Sequence, residues 1–207
     1  HGLLAKPQII IMKNASSSST KWFVYSDIFD GSYDFLYLNT TAAKANSSRN
    51  VPTATVFDQG NLGGVSAGNN CIAYCFANVD GYQRIGSYVG TAGPGPFVYT
   101  GFEPAWLMIK EASNTGNWCI YDNKRDTVNP NSKVLVANSS NAESSYSSGY
   151  NVNFHTNGFE IAENASNDLN TSGSTYMFMA IAANPDTTAP TKANSFKAVL
   201  YTGNDGG

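Results

Sequence analysis

Charged residues are what this sequence of 207 residues has least of. Asp, Glu, Lys and Arg together make up 13% of it, against roughly 25% in an average soluble protein. The net charge is −3, and no basic run is longer than the pair Lys124-Arg125. A nucleic-acid binder needs a basic surface that neutralises phosphates. The sequence therefore predicts no nucleic-acid partner.

Long apolar runs are also missing. Runs such as residues 9–12, and even residues 176–183, fall far short of the ~20 apolar residues that a membrane-spanning helix needs. We therefore predict no membrane partner. The N-terminus has none of the basic, apolar and small-residue regions of a signal peptide. A protein released from its host cell by lysis would need no such signal.

Cysteine is scarce, and its spacing excludes most of its special chemistry. Of the three cysteines, Cys71 and Cys75 lie in one predicted strand, and Cys119 stands alone. Residues four apart in a strand are about 13 Å from each other, too far for a disulfide. No second group of ligands has the spacing of a metal site. We interpret the cysteines as packing residues and predict no cofactor.

A complete catalytic motif is missing as well. The single Gly-x-Ser-x-Gly match, at residues 64–68, lies in a predicted loop and not between a strand and a helix, and of the two histidines His1 is terminal while His155 ends a predicted strand. Acid–base catalysis needs positioned carboxylates or a tuned histidine. The carboxylates are scattered, and we interpret them as solvated surface groups, so the sequence predicts a non-enzymatic protein. They include Asp27, Asp30, Asp34, Asp58, Asp122, Asp126, Glu143 and Glu160.

The residues that are abundant favour β-structure. The chain has 12 Tyr and 11 Phe, and aromatic and β-branched residues favour strands, while Asn, Ser and Gly favour the turns between them. The apolar runs are short and bounded by such turn residues, and no window shows a sustained helical period. We predict an all-β fold of antiparallel sandwich or jelly-roll type with little helix.

Several strand-like segments occur twice, in the same order. Residues 7–13 match 104–110 with an offset of 97, and the offset then grows from 96 to above 100 along the chain, as loop insertions would produce. The other matches are 22–25 with 118–121, 36–39 with 135–138, 72–78 with 176–184, and 87–90 with 200–203. We predict two tandem β-sandwich modules, at residues 1–90 and 91–207.

The link between the repeats, at residues 81–101, is the least certain boundary. It belongs to either module, or supplies a strand that ties one module to the next. Gly2-Leu3 corresponds to Gly101-Phe102, and the last ten or so residues resemble the start of the link. We therefore expect the chain to be a piece of a longer series of repeats, or a processed product.

One stretch is more distinctive than the rest. Residues 95–106 read Gly-Pro-Phe-Val-Tyr-Thr-Gly-Phe-Glu-Pro-Ala-Trp, and Gly-Asn-Trp follows at 116–118. Together with the repeated segments, these residues resemble a domain repeated in virion proteins of tailed phages, especially marine ones. The resemblance covers nearly the whole chain. It is also carried by residues 2–3, 7–13, 22–25, 36–43, 72–77, 81–82, 86–90, 121–122, 157–159 and 171–176.

This resemblance implies a location and a set of partners. It implies a concanavalin-like or SPRY-like lectin-type sandwich in a tail fibre, appendage or capsid decoration, on the virion or otherwise extracellular. The partners would be other copies of the chain, as a homo-oligomer, or other virion proteins. The family's motifs are structural, so the resemblance carries over no catalytic or ligand-binding residue.

An alternative function is carbohydrate binding, to glycans of a host cell surface. Exposed aromatic rings can stack on sugar rings while polar neighbours bind the hydroxyls. The candidates are the tyrosines near predicted loops: Tyr33, Tyr82, Tyr146 and Tyr150. The three tryptophans, Trp22, Trp106 and Trp118, lie in apolar strands and are predicted to be core residues.

A weak calcium candidate lies in a polar segment. Asn164, Asp168 and Asn170 place oxygen-bearing side chains close together, and Ca²⁺ takes six to eight oxygen ligands. The segment has one carboxylate and no closing bidentate Glu. We interpret it as a polar loop and predict no metal.

Overall fold

The structure is a computed structural model that describes residues 1–3, 5–57, 69–146, 148–162 and 167–185. This part of the chain contains 13 β-strands and a single four-residue helix, which confirms the predicted all-β fold with little helix. The elements are β1 (Ile9–Asn14), β2 (Phe23–Ser26), β3 (Asp34–Tyr37), β4 (Cys71–Phe76), β5 (Gln83–Val89), β6 (Phe97–Tyr99), β7 (Pro104–Glu111), β8 (Trp118–Asp122), β9 (Lys133–Val136), β10 (Ser144–Ser145), β11 (Val152–His155), β12 (Gly158–Ile161), α1 (Asn167–Asn170) and β13 (Thr175–Ala182).

The strands form three antiparallel sheets. The first sheet has the order β3-β2-β1-β4, the second β10-β9-β8-β7-β13-β5, and the third β11-β12-β6. Every strand pairing is antiparallel, as expected for a chain of short strands joined by turns. No helix in the described residues is both long and apolar enough to cross a bilayer.

The first two sheets repeat one pattern of strand pairing. The order β3-β2-β1-β4 recurs as β9-β8-β7-β13. Ile10 pairs with Tyr25 in the first sheet, and Leu107 pairs with Tyr121 in the second. These are the residues that the sequence repeat equates. The repeat in the sequence is therefore also a repeat of strand order and register.

One side-chain hydrogen bond recurs with the strands. The backbone N–H of Trp22 donates to Asn39 Oδ1 at 3.0 Å. At the equivalent place, the N–H of Trp118 donates to Asn138 Oδ1 at 2.8 Å. In each sheet, the asparagine that follows β3 or β9 thus accepts a hydrogen bond from the backbone N–H at the start of β2 or β8. Its short polar side chain suits this role.

Apolar side chains fill the space on both sides of the second sheet. On one side its residues pack against the first sheet, in a core that we call the central core: Ile9, Val24, Leu36, Ile85, Met108, Trp118, Met177 and Met179. On the other side they pack against the third sheet, where Val98, Val152, Phe154, Phe159 and Ile161 are buried. The three sheets are therefore stacked, with the second in the middle.

Hydrogen bonds also join the first and second sheets. Trp118 is fully buried, and its Nε1 donates to the backbone carbonyl of Tyr37 at 2.9 Å. The N–H of Lys44 donates to the carbonyl of Ala112 at 2.8 Å. A buried Trp usually finds such a partner, because an unpaired indole N–H is costly. The contact fixes the two sheets in one relative position.

The two predicted tandem sandwich modules are not confirmed. The described strands before residue 80 form a single sheet, and its apolar face is covered by the other repeat across the central core. Strand β5 lies in the predicted first module by sequence, yet it pairs with β13. This matches the alternative in which the link supplies a strand that ties the repeats together. The boundary at residue 90 stays a prediction.

The predictions for individual core residues have mixed outcomes. Trp118 is fully buried, Trp22 and Trp106 are half-buried, and the three cysteines are free thiols. The interpretation of Asp34 as a solvated group is wrong. Its side chain is fully buried and forms an ion pair with Lys44 at 2.5 Å. Asp34 shares the inward face of β3 with Leu36, so the alternation that buries Leu36 buries it too.

A second carboxylate from the same group, Asp126, is also buried. Asp126 is 8% exposed, so its interpretation as a solvated surface group is also corrected. Its carboxylate accepts hydrogen bonds from the backbone N–H groups of Ser132 and Lys133, which replace the water that burial removes. Asp58 lies outside the described residues.

Candidate functional site

The third sheet has one apolar and one exposed face. Along β11, Val152 and Phe154 point into the core, and Asn153 and His155 alternate with them on the outer face. Strand β6 alternates in the same way, with Val98 inward. We call the solvent-facing side of this sheet the outer face. It carries Phe97, Tyr99, Asn153, His155 and Glu160.

Two aromatic side chains dominate the outer face. Phe97 is 49% exposed and Tyr99 is 66% exposed. They lie two residues apart on β6, so their side chains point to the same side of the sheet. Single exposed apolar residues are ordinary on protein surfaces, but two neighbouring rings form an apolar platform.

Strand register brings polar groups beside these rings. Phe97 is directly opposite Glu160, and Glu160 is opposite Asn153 on the next strand. Tyr99 is opposite Gly158, which is opposite His155. The outer face therefore consists of two rows across three strands, each with an aromatic residue at one end.

Gly158, in the middle of the second row, has no side chain that would project from the outer face. A Cβ atom at this position would lie 2.2 Å from the carbonyl oxygen of Val98 and 2.8 Å from the Phe97 ring, so no larger residue fits. The Phe97 ring lies over this glycine and meets His155 edge to face, with ring centroids 5.6 Å apart. The absence of a side chain at Gly158 thus leaves the space that the Phe97 ring occupies.

The polar groups are held in place by one another. Glu160 Oε2 accepts a hydrogen bond from Asn153 Nδ2 at 3.2 Å and lies 3.3 Å from His155 Nε2. The side chains of His155 and Glu160 are 42% and 41% exposed. Glu160 Oε1 accepts no hydrogen bond from the described residues, which leaves a carboxylate oxygen next to the aromatic platform.

This arrangement suits binding of a polyhydroxylated ring. The face of an aromatic ring packs on the apolar C–H face of a sugar, while carboxylate and amide groups bind its hydroxyls. Glycoside hydrolysis normally needs two carboxyl groups flanking the bond. Glu160 is the single carboxylate within β6, β11 and β12. The outer face thus offers two aromatic rings and one carboxylate with which such a ligand could be bound.

Two of the predicted sugar-stacking tyrosines lie in different surroundings, one buried and one exposed. Tyr33 is 2% exposed and stacks on Tyr25, with ring centroids 5.3 Å apart. Both rings belong to a separate small core on the side of the first sheet that faces away from the central core. Its ring cannot reach a surface ligand, so this prediction is corrected. Tyr82 is 41% exposed, in the turn between β4 and β5, and its role in sugar binding stays a prediction.

The other two predicted tyrosines are brought together. The rings of Tyr146 and Tyr150 lie 4.3 Å apart and pack half-buried against the core between the second and third sheets. Tyr150 donates a hydrogen bond from its hydroxyl to Asp168 Oδ2 at 2.7 Å. Both rings support the loops around them. Binding of a sugar at this pair stays a prediction.

The weak calcium candidate is only partly described. Asn164 lies outside the described residues. Asp168 accepts hydrogen bonds from the backbone and side-chain nitrogens of Asn117, at 2.7 and 2.8 Å, besides that from Tyr150. Asn170 is buried and accepts from the N–H of Thr91 at 2.8 Å. These groups anchor loops of the protein itself.

The other acidic, histidine and cysteine side chains that could bind a metal ion are dispersed in the described part of the chain. Among the residues that the structure describes, no three His, Cys, Asp or Glu side chains are grouped so that they could hold a metal ion.

Asp126, in the loop after β8, is a carboxylate that accepts hydrogen bonds from the protein itself. Burial raises its pKa, but hydrogen bonds from the N–H groups of Ser132, Lys133 and Val128 outweigh burial and lower the pKa overall. That carboxylate shapes the loop.

Sequence reasoning missed Phe97 and Tyr99, although a signal was present. The segment Phe97-Val98-Tyr99 alternates, and one inward valine implies two outward rings. The partner strands β11 and β12 lie about 60 residues further along the chain. Local pattern cannot reveal which strands pair over that distance, so the platform and its carboxylate could not be assembled from the sequence.

The comparisons with known proteins give a family and no function. A family described as a domain of unknown function, DUF7483, matches residues 1–185. The chain belongs to the DUF7483 family. The match includes both copies of the repeat as far as β13 and the whole outer face. Neither the curated proteins nor the solved structures yielded a match.

Proposed function

We propose that this DUF7483 chain is a non-enzymatic binding module that holds carbohydrate on the outer face of its third sheet. The observation that carries the proposal is the pair of exposed rings, Phe97 and Tyr99, on the same face as Glu160. Phe97 would stack on the sugar ring, and Glu160 Oε1 would accept hydrogen bonds from its hydroxyls. Tyr99 extends the platform toward a second sugar unit.

A site of this kind binds weakly when it acts alone. The outer face is flat, so a ligand there keeps much of its surface in water, and small buried areas give small binding energies. Several copies of a weak site on one particle bind tightly together, because every contact after the first is intramolecular. The proposed function therefore fits a repeated surface protein better than a single free one.

We propose further that the chain is a structural module of a phage virion, in a tail fibre, appendage or capsid decoration. The resemblance over residues 95–106 and the repeated segments support this. In that setting the chain would act outside the cell, as a homo-oligomer or with other virion proteins. The concanavalin-like type of the sandwich belongs to the same proposal, with the two repeats at 1–90 and 91–207 folded as one unit around a shared core.

A glycan array tests the carbohydrate proposal. We expect the wild-type chain to bind a subset of glycans, and Phe97→Ala to weaken that binding roughly tenfold, since losing one stacking contact costs on the order of 1.4 kcal/mol. Tyr82→Ala is the matched control, because Tyr82 is an exposed aromatic residue in the turn between β4 and β5. We expect this variant to bind like wild type.

Two results would contradict the carbohydrate proposal. One is an array on which the wild-type chain binds no glycan. The other is equal binding by wild type and Phe97→Ala, or a loss confined to Tyr82→Ala, which would move the site to the predicted tyrosine. The virion proposal has a separate test: immunogold labelling of purified phage particles. Particles that stay unlabelled would contradict it whatever the glycan array shows.

A further inference from the structure

A polar cleft of about 260 Å³ lies beside the third sheet. It is enclosed by Glu103 just before β7, by the loop that follows β8, and by Phe154 of β11. No residue of the outer face lines it, so the cleft is separate from the aromatic platform. Its lining is rich in side chains that carry oxygen atoms, which makes it a candidate for a second binding site.

Hydrogen bonds to β11 hold the loop that forms most of this cleft. The side chain of Asn129 exchanges two of them with the backbone of Phe154, donating from Nδ2 to the carbonyl and accepting at Oδ1 from the N–H, both at 2.9 Å. The backbone N–H and carbonyl of Asn131 pair with those of Val152, at 2.8 and 3.0 Å. The polar group that Asn131 presents to the cleft is therefore its side-chain amide.

Two amide oxygens in the cleft lack the partner that burial normally requires. Asn131 is 3% exposed, and its Oδ1 is buried without a hydrogen-bond partner among the described residues. The Oδ1 of Asn123 is buried in the same way, while the backbone N–H of Asn123 donates to the carbonyl of Ala105 at 3.0 Å. Buried acceptors are costly when unpaired. Because both residues line one cleft, their oxygens point to a ligand that binds there.

The same cleft carries negative charge that no described basic group neutralises. Glu103 and Asp126 both line it, and neither forms an ion pair within the described part of the chain. No Lys, Arg or His is among its described lining residues. Hydrogen bonds from the N–H groups of Ser132 and Lys133 stabilise the ionised carboxylate of Asp126. Acceptor oxygens and uncompensated carboxylates together favour a cation.

We propose that this cleft binds Ca²⁺, with the carboxylate of Glu103 and the Oδ1 atoms of Asn123 and Asn131 as ligands. Calcium is coordinated by carboxylate, amide and water oxygens at about 2.3–2.6 Å, which is closer than a hydrogen bond. The ion can therefore reach oxygens that a water molecule does not. Asp126 adds negative charge beside the site, and water supplies the other ligands from the open side of the cleft.

The set of ligands explains the expected affinity and selectivity. Amide oxygens take the place of the third acidic side chain that no described group of residues provides. With few charged ligands, we expect a Kd on the order of 10⁻⁴–10⁻³ M, as in weak calcium sites of extracellular modules. Mg²⁺ should bind less well, because it requires a strict octahedron of closer ligands.

Calcium titration of the whole chain tests the proposal. We expect isothermal calorimetry to show one site, and about 10 mM CaCl₂ to raise the unfolding midpoint by roughly 4 °C, since ligand at ten times a Kd near 1 mM stabilises to that extent. Glu103→Gln should weaken calcium binding at least tenfold, and it should fold because Glu103 is exposed. Asp80→Asn is the matched control, since Asp80 is an exposed carboxylate that does not line the cleft. This variant should bind like wild type.

A second pair of variants examines the amide ligands. Asn131→Ala should abolish calcium binding, whereas Asn151→Ala should bind like wild type. The Oδ1 of Asn151 is also buried without a described partner, but Asn151 does not line the cleft. Asn131→Asp should unfold at a lower temperature without calcium and gain more from calcium than wild type, because a further carboxylate joins the site. An asparagine with a purely structural role would not produce that larger gain.

Four outcomes would overturn the proposal. They are a wild-type chain that neither binds calcium nor gains stability from it, binding by Glu103→Gln that equals that of Asp80→Asn, binding by Asn131→Ala that equals that of wild type, and an equal response to MgCl₂. The last would show general attraction of cations to negative charge. If Asn131→Ala fails to fold, the comparison of Glu103→Gln with Asp80→Asn decides.

Discussion

A lysine buried between the sheets shows how a single side chain couples the fold to pH. Lys110 is fully buried, and its Nζ donates to the carbonyls of Glu111 at 2.5 Å and Thr41 at 3.3 Å. Burial lowers its pKa to about 8, against the opposing effect of the charges of Glu111 and Asp168. Keeping Lys110 charged in the folded protein therefore lowers the free energy of unfolding at neutral pH.

The pH dependence of stability follows from this shift. The unfolded chain keeps the ordinary lysine pKa of 10.5, so between pH 8 and 10 it binds more protons at Lys110 than the folded chain. The free energy of unfolding should then rise with pH, by up to about 1.4 kcal/mol per unit. Urea unfolding at several pH values, compared with Lys110→Met, isolates the effect. Parallel profiles for the two proteins would contradict it.

The buried residues Tyr33 and Asp34 mark a limit of sequence reasoning at this scale. Both follow a glycine and a serine in a polar stretch, which is typical of a surface loop. Tyr33 nevertheless packs on Tyr25, and Asp34 reaches Lys44. Lys44 is ten residues away, and the burial of both side chains depends on packing against segments that local pattern does not specify.

Among the elements, the strands of the repeat were the most predictable. The repeat in the sequence predicted two copies of one set of strands, and the structure pairs equivalent residues of both copies in the same register. The partner of β5 was not predictable in the same way. A strand after β4 could return to β4 or cross to another sheet, and burial of Ile85 in the central core favours the crossing.

Two glycines before β6 give a test of how closely the link packs. At Gly95 a Cβ atom would lie 1.6 Å from the carbonyl oxygen of Ile161, whereas at Gly93 it would meet nothing within 4 Å. We expect Gly95→Ala to force the link away from β12 and to cost about 2 kcal/mol or more, as other overpacking substitutions do. The unfolding midpoint should fall by roughly 5 °C.

The neighbouring substitution is the control for this prediction. Gly93→Ala should change the free energy of unfolding by less than about 0.5 kcal/mol, as open surface positions do. Equal stability of the two alanine variants in a thermal melt would refute the tight contact. Because Gly95 precedes β6, the destabilised variant should also lose part of the platform formed by Phe97 and Tyr99.

For the whole molecule, we expect the two repeats to unfold as one unit. The central core contains Leu36 from one repeat and Met108 from the other, and Trp118 donates a hydrogen bond to Tyr37 across the interface. Each of these two sheets has an apolar face in the central core, and a sheet cannot remain stable when such a face is uncovered. Neither the first nor the second sheet should therefore persist after the other unfolds.

Equilibrium unfolding in urea, read segment by segment with pulsed hydrogen exchange and mass spectrometry, tests this claim directly. Peptides from β1–β3 and peptides from β7–β9 should lose protection at one common urea concentration, because loss of the shared core exposes both sheets together. Two well-separated midpoints, one for each repeat, would show independent modules and contradict the account.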